Sequence, residues 1–149
     1  MFECGTDGPR VIVVGVDGSD PSWRAAAYAV GLARRQGALL AMVYVQPVSS
    51  MAAVAGISTV TAESDLAAAD AICGRMRAGL AGMAEVRALR WEFHRVVGAD
   101  VVAALSQLAD ELRADAVVVG ASKGLGHRVL GSAAVRLVKA RRWPVTVVP

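Results

Sequence analysis

Hydrophobic positions along this chain alternate between short unbroken runs and longer stretches with helical spacing. Unbroken runs rich in valine are typical of strands that are buried on both faces of a parallel sheet. Stretches in which apolar residues recur every three or four positions are typical of amphipathic helices. The pattern predicts strands at residues 11–17, 38–45, 88–97, 116–119 and 145–148, and helices at residues 20–35, 63–82, 100–113 and 132–140.

The order of these elements predicts an α/β fold, because alternating strands and helices build a parallel sheet that is covered by helices. Residues 88–97 mix aromatic and charged side chains, which is the pattern of an edge strand with one face in water. The turn after the first strand offers Ser19 or Asp20 as the N-cap of the next helix, with Pro21 in its first turn. Residues 46–62 form a longer connection that is interrupted by Pro, Gly, Ser and Thr.

The length of the chain and its two cysteines favour a single-domain protein without a disulfide framework. The chain has 149 residues, which is the size of one domain. We expect residues 11–149 to form this domain and residues 1–10, which precede the first predicted strand, to form a flexible leader. Two cysteines do not make a disulfide framework, and the N-terminus has no apolar signal sequence, so a cytoplasmic protein is expected. The uncharged stretch at residues 36–62 is too broken by polar residues to span a bilayer, and no membrane partner is expected.

The net charge of the chain is +3, and basic residues are concentrated near the C-terminus, at Arg136, Lys139, Arg141 and Arg142. The dipole of a helix favours cations at its C-terminal end, so these residues either stabilise a helix or contact phosphate or nucleic acid. No basic stretch is interleaved with aromatic residues, and no nucleic-acid-binding signature occurs. We therefore expect no nucleic-acid partner.

Two of the predicted strands end in glycine turns, which contain Gly15 and Gly120. If these strands are neighbours, their loops face one crevice at the carboxyl edge of the sheet, where α/β sheets bind ligands. The loop after Gly120 leads to Gly131 and Ser132 at a predicted helix start, and glycines before a helix N-terminus favour an anion.

Generic motifs do not identify the ligand of this crevice. The first turn lacks the G-x-G-x-x-G spacing of dinucleotide sites, and the second loop lacks the Gly-Lys-Ser/Thr of a Walker A loop. No group of His, Cys and carboxylates has metal-binding spacing. Ser122 and His127 share the second loop, but no third residue is evident that would orient the histidine as a base. The sequence therefore does not predict an enzyme.

Three longer stretches together resemble the universal stress protein family. They are VIVVGVDGSDPSWRAAAYA near the N-terminus, VVGADVVAALSQLADELRADAVVVGASKG in the middle and LGSAAVRLVKARRWPVTVVP at the C-terminus. The resemblance implies a Rossmann-like, doubly wound sheet of five parallel strands in the order 3-2-1-4-5, with helices on both faces. It also implies a homodimer that pairs the last strands of two subunits, here Val145–Val148, and a short apolar edge strand is a suitable template for such pairing.

Some members of this family bind ATP through a glycine pattern in the second loop, and this chain matches that pattern in part. Gly120 matches the first glycine, and Gly131 with Ser132 matches the closing pair. Lys123 stands where the second glycine is expected, and Gly124 follows it. The spacer between Gly120 and Gly131 holds ten residues, two fewer than the pattern has, so fewer backbone amides are available to phosphate.

The resemblance also implies which residues contact an adenine nucleotide, either ATP or cyclic AMP, with or without Mg²⁺. Asp17 matches a residue at the nucleoside end, and Val45 matches one beside the adenine. The full predicted set is Gly15, Val16, Asp17, Val45, Val119, Gly120, Lys123, Gly124, Gly131, Ser132 and Ala133. Asp17 could instead only stabilise its own turn, and Ser132 could be only a helix N-cap.

Two functions follow from the resemblance, and the shortened loop separates them. The first is a regulatory or protective stress-response module that binds an adenine nucleotide in the crevice. The alternative is a dimeric interaction scaffold of the same family that binds no nucleotide and acts on an unidentified protein partner. In either case no turnover is expected beyond slow ATP hydrolysis.

Overall fold

The computed structural model describes residues 8–47, 58–82, 88–121 and 132–149. Its strands are β1 (Val11–Gly15), β2 (Leu39–Pro47), β3 (Arg90–Gly98), β4 (Ala116–Gly120) and β5 (Val145–Val148). Its helices are α1 (Asp20–Gln36), α2 (Ser58–Ala81), α3 (Val101–Glu111) and α4 (Ser132–Ala140). The first seven residues, which belong to the predicted leader, lie outside the described part of the chain.

The five strands form one parallel sheet in the order β3-β2-β1-β4-β5, which confirms the predicted fold and strand order. β1 lies at the centre, and its Val13 pairs with Ala41 of β2 on one side and with Val117 of β4 on the other. All three residues are fully buried, as expected for strands covered on both faces. The strand order reverses between β1 and β4, which makes this the switch point of the sheet.

Each face of the sheet is covered by one pair of helices. Because side chains alternate along a strand, Ile12 and Val14 pack against α1 and α2, whereas Val13 packs against α3 and α4. α1 contributes mainly small side chains to its interface, including Ala25 and Ala29, which are fully buried. Small residues at this interface allow the helix to lie close to the sheet.

The ends of α1 follow from local sequence. Ser19 is the N-cap, and its hydroxyl oxygen accepts a hydrogen bond from the amide of Ser22. Pro21 lies in the first turn, where its missing N–H is not needed. Gly37 ends the helix in the left-handed region, with φ of 64°, a conformation that glycine adopts without steric cost.

α2 begins at Ser58, five residues before the predicted start, so that boundary was wrong. Residues 58–62 contain no glycine or proline, and β-branched residues lower helix propensity by only tenths of a kcal/mol each, which is too little to stop the helix. No helix in the described ranges is both long and apolar enough to cross a membrane.

Two of the four basic residues near the C-terminus form ion pairs with carboxylates at opposite ends of α3. Arg136 on α4 pairs with Asp100, and Arg142 after α4 pairs with Asp110. These contacts join α4 and its C-terminal turn to α3. The third, Lys139, lies in the last turn of α4, where the helix dipole favours a cation.

Candidate functional site

A cavity of about 160 Å³ lies at the carboxyl edge of the sheet, where β1 and β4 diverge. Its floor is formed by the ends of β1, β2 and β4, and its walls by the first turns of three helices. The lining is mostly apolar, with Val45, Val119 and Leu105 among its side chains. The ends of β1 and β4 therefore face one crevice, as the sequence predicted for neighbouring strands.

Seven of the eleven predicted site residues line this cavity. They are Gly15, Val16, Asp17, Val45, Val119, Gly120 and Ala133. Ser132 opens α4 directly before Ala133. The three remaining predictions, Lys123, Gly124 and Gly131, lie outside the described residues.

The starts of α1, α3 and α4 converge on the cavity. Ser19 and Ser22 contribute from α1, Val101 and Val102 from α3, and Ala133 from α4. The first amides of a helix lack partners within the helix, and its dipole places partial positive charge there. Each of these helix starts therefore contributes partial positive charge beside the crevice.

Asp17 is the charged residue that lines the cavity among the described residues. Its Oδ1 accepts a hydrogen bond of 2.9 Å from the amide of Ser19, so the side chain does stabilise its own turn. Burial alone would raise the pKa of Asp17, but hydrogen bonds from Ser19 and Ser22 lower the pKa by more. The carboxyl is therefore ionised near neutral pH and accepts hydrogen bonds at the mouth of the crevice.

Ser22 holds the first loop in place, and the sequence did not single it out. Its side chain is buried, with 4% exposure, and its hydroxyl donates to the carbonyl of Ser19 at 2.8 Å. The same oxygen accepts from the amide of Asp17 at 3.3 Å. A hydroxyl that both donates and accepts fixes the position of Asp17 relative to α1. Its position three residues after the N-cap was the only sequence signal.

Gly120 is required by helix packing. A Cβ at this position would lie 2.5 Å from the carbonyl carbon of Pro21 and 2.7 Å from the amide nitrogen of Ser22. These are backbone atoms at the start of α1, so they cannot move aside by rotating a side chain. The glycine at the end of β4 thus allows α1 to approach the sheet, whether or not a ligand is bound.

The side of the cavity formed by α3 was missed at the sequence level. Val101, Val102 and Leu105 line it, although helical spacing had identified only an amphipathic helix. The available signal was Asp100, whose Oδ1 caps α3 by accepting from the amides of Val102 and Ala103 at 2.9 and 3.2 Å. A capping residue directly after a strand brings the start of the helix to the carboxyl edge of the sheet.

Asp100 also joins α3 to α4. Arg136 donates to both of its carboxyl oxygens, at 3.0 and 2.6 Å. This bidentate geometry is the strong form of an arginine–carboxylate pair. The hydrogen bonds from Arg136, followed by those from the helix amides, lower the pKa of Asp100 to about 2. The two helix starts beside the cavity are therefore held together by one carboxylate.

The titration of Asp100 provides a direct test of this contact. We expect the Asp100 carboxyl to titrate near pH 2 in the native protein and closer to the usual value of about 4 in an Arg136→Gln variant. Because the folded pKa lies below the unfolded one, this group stabilises the fold above pH 4, and the stabilisation is lost as pH falls towards 2. NMR titration of the side-chain carboxyl carbon measures both values, and equal midpoints in the two proteins would contradict the pairing.

The described part of the site contains no cationic side chain. No Lys or Arg is found among the described residues that line the cavity. Across the described ranges, no group of three His, Cys, Asp or Glu residues could hold a metal ion. In the described part of the crevice, partial positive charge therefore comes from the helix N-termini, and the Asp17 carboxylate opposes it.

Comparisons with solved structures agree with this fold. Universal stress protein UspA from Lactobacillus plantarum superimposes with a TM-score of 0.74 at 25% identity, over 93% of this chain and 97% of that chain. A universal stress protein crystallised in complex with cAMP gives a TM-score of 0.59 at 27% identity, over 95% of this chain and 97% of that one. The universal stress protein from Archaeoglobus fulgidus in complex with dAMP shares the fold, at 22% identity and a TM-score of 0.58, over 93% of this chain and 96% of that one.

Comparison of the sequence with models of protein families identifies the family of this chain. No curated protein matches the chain significantly. The model of the universal stress protein family, however, matches residues 9–149, which is nearly the whole chain. The chain therefore belongs to the universal stress protein family.

Proposed function

We propose that this protein binds an adenine nucleotide, ATP or cyclic AMP, in the crevice between β1 and β4, and serves a regulatory or protective role under stress. The observation that carries this proposal is the convergence of three helix starts and the ends of β1 and β4 on one apolar cavity. The switch point of a doubly wound sheet is the usual ligand position of such folds.

The volume and the apolar lining of the cavity suit the adenine base better than the sugar or the phosphate of the nucleotide. Its volume of about 160 Å³ is below the range of about 300–1,000 Å³ that holds a whole ligand, so part of the ligand lies outside it. Val45, Val119 and Leu105 present apolar surface to a flat heterocycle. We place the adenine against these side chains, with the sugar and phosphate towards the open mouth.

The sugar and phosphate meet different partners at the mouth. The ionised Asp17 carboxylate only accepts hydrogen bonds, so it suits a ribose hydroxyl and repels a phosphate. The first turn of α4, at Ser132 and Ala133, presents helix amides, which suit the phosphate. This division fixes the direction of the nucleotide across the crevice.

Relatives support an adenine nucleotide over other anions. A universal stress protein that is 27% identical to this chain was crystallised with cAMP, and one of the same fold was crystallised with dAMP. Both of these ligands carry a single phosphate. A spacer that is two residues shorter than the ATP-binding pattern suits such a ligand, because it has fewer amides to offer.

An Ala133→Asp variant tests this placement. Aspartate in the first turn stabilises a helix through the dipole, so the variant is expected to fold, while its charge repels a phosphate at α4. We expect it to weaken binding by about tenfold or more, and we expect the neutral, near-isosteric Ala133→Asn control to bind almost normally. Calorimetric titration with ATP, ADP and cyclic AMP, with and without Mg²⁺, measures the affinities.

Each result of this titration has a defined meaning. Wild-type binding that Ala133→Asp loses supports a phosphate at the start of α4. Wild-type binding that the variant retains would place the phosphate elsewhere and overturn the proposed direction. No heat and no thermal shift with any of the three nucleotides at millimolar concentration would overturn nucleotide binding itself.

A dimeric scaffold without nucleotide is the second candidate, and one observation favours it. Gly120, which matches the first glycine of the ATP-binding pattern, is accounted for by the approach of Pro21 and Ser22 alone. In this case the protein acts through a homodimer that pairs β5 with its copy and through a further protein partner. β5 has β4 as its one neighbour in the described sheet, which leaves its other edge available for such pairing.

A further inference from the structure

A second cavity, of about 490 Å³, lies between α1 and α2 and shares no lining residue with the nucleotide crevice. We call it the α1–α2 groove. Its main lining side chains are Trp23, Ala26 and Val30 from α1, and Arg75, Met76 and Leu80 from α2. Its volume lies within the range of about 300–1,000 Å³ that is typical of small-molecule sites, so the groove is large enough for a whole ligand.

Arg75 places a positive charge at this groove. Its guanidinium carbon lies 4.4 Å from the centre of the Trp23 ring, a cation–π contact that uses the face of the guanidinium. The N–H donors around its edge stay directed outward in the plane of the group. Arg75 is exposed, and no ion pair joins it to a carboxylate of the described residues. Within the described part of the chain, its edge is therefore available to an anion.

The surrounding charges reinforce this preference. α1 has no acidic residue after Asp20, and α2 has none after Asp70. Arg24 and Arg77 lie one residue from Trp23 and two residues from Arg75, respectively. Neither of these two residues lines the groove, and Arg24 donates to the carbonyl oxygen of Pro149. Arg75 is therefore the charged residue of the described lining, and its charge attracts an anion.

The indole of Trp23 supplies a second, independent observation. Its Nε1 atom is buried and has no hydrogen-bond partner among the residues that the structure describes. Buried N–H groups in folded proteins nearly always have an acceptor, and an exception calls for an explanation. An acceptor that belongs to a ligand, bound beside Arg75 and Trp23, would satisfy this donor.

We propose that the α1–α2 groove binds an amphiphilic carboxylate with an unbranched apolar chain, of the medium-chain fatty acid type. The carboxylate accepts hydrogen bonds from the edge of Arg75 and from the Trp23 indole. The apolar chain lies along Ala26, Val30 and Leu80, where it replaces water on apolar surface. The ligand is thus defined by one anionic head and one apolar tail.

Three probes with ten-carbon chains separate the parts of this proposal, each titrated calorimetrically below its micelle concentration or, for decanol, below its solubility limit. They are decanoate, decanol and decyltrimethylammonium, which carry the same chain on an anionic, a neutral and a cationic head. We expect decanoate to bind at least about tenfold more tightly than the other two. We also expect it to shift one of the three indole N–H resonances, assigned to Trp23 by its loss in a Trp23→Phe variant.

Two glycines of α2 give a matched pair of variants. Gly79 lines the groove and Gly74 does not, and a Cβ at either position would meet nothing within 4 Å. Leucine is a better helix former than glycine, so both Gly79→Leu and Gly74→Leu are expected to fold. We expect Gly79→Leu to fill the groove and abolish decanoate binding, whereas Gly74→Leu retains it. Arg75→Gln is expected to remove the preference for decanoate over decanol.

Several results would overturn the proposal. Decanol or decyltrimethylammonium binding as tightly as decanoate would remove the role of Arg75. Equal decanoate affinity of Gly79→Leu and wild type would move the site out of the groove. No binding of decanoate by the wild-type protein at the highest concentration below its micelle concentration would eliminate the ligand class. Tighter binding of decanoate, lost in Gly79→Leu and kept in Gly74→Leu, would support it.

Discussion

A Gly120→Ala variant is expected to be destabilised by about 3 kcal/mol, because the new methyl group overlaps backbone rather than side chains. The new methyl carbon would lie 2.5 to 2.7 Å from backbone atoms of Pro21 and Ser22 at the start of α1. Relief requires α1 to move away from β4, which also displaces the loop that carries Asp17. The free energy of unfolding, from urea denaturation followed by circular dichroism, measures the effect.

Gly15→Ala is the matched control for this variant. Gly15 also ends a central strand and lines the cavity, but a Cβ there would meet its nearest neighbours, Leu105 and Val119, at 3.6 and 3.7 Å. These are ordinary van der Waals distances, so we expect a loss below about 1 kcal/mol. If the two variants are equally stable, the close approach of α1 to β4 is not what requires glycine at position 120.

A Leu137→Ala variant is expected to lose about 2–5 kcal/mol of stability, as is typical of leucine truncation in a well-packed core. Leu137 is a fully buried residue of α4, in the cluster that joins α3 and α4 to the sheet. Its loss removes the main apolar contact that holds α4 against the sheet. Because α4 begins at the crevice, nucleotide affinity should fall together with stability.

Val138→Ala is the control for this experiment, because it truncates an exposed side chain of the same helix. Val138 is the next residue of α4 but is 55% exposed, and alanine is the better helix former of the two. Chemical denaturation should therefore show little change, within about 0.5 kcal/mol. A loss in Val138→Ala comparable with that in Leu137→Ala would mean that α4 does not pack as described.

Much of the fold was predictable because local hydrophobic patterns in the sequence indicate the strands of this sheet. Valine-rich runs identify β1 and β4 as buried strands, and glycine at the end of each marks the carboxyl edge. The resemblance to the family supplied the strand order. The start of α2 was predicted wrongly because residues that disfavour a helix weakly do not stop one.

The candidate site was predicted less completely, since its parts are far apart in sequence. The side chains that line it from α3, such as Leu105, were known only as one face of an amphipathic helix. Ser22 carries no sequence signal of burial, yet it connects the first loop to α1 by two hydrogen bonds. Lys123 and Gly124 stay predictions, because they fall outside the described residues.

The sequence by itself determined the alternation of strands and helices, the family and the residues at the strand ends, because these depend on local periodicity and short motifs. Only the tertiary structure decided why position 120 is glycine and which side chains face each cavity. Such features depend on contacts between distant parts of the chain. The carboxylate of Asp115, for example, accepts hydrogen bonds from the amides of Arg10 and Val11, 105 and 104 residues away. No pattern along the chain encodes such a contact, because it exists only once the sheet has formed.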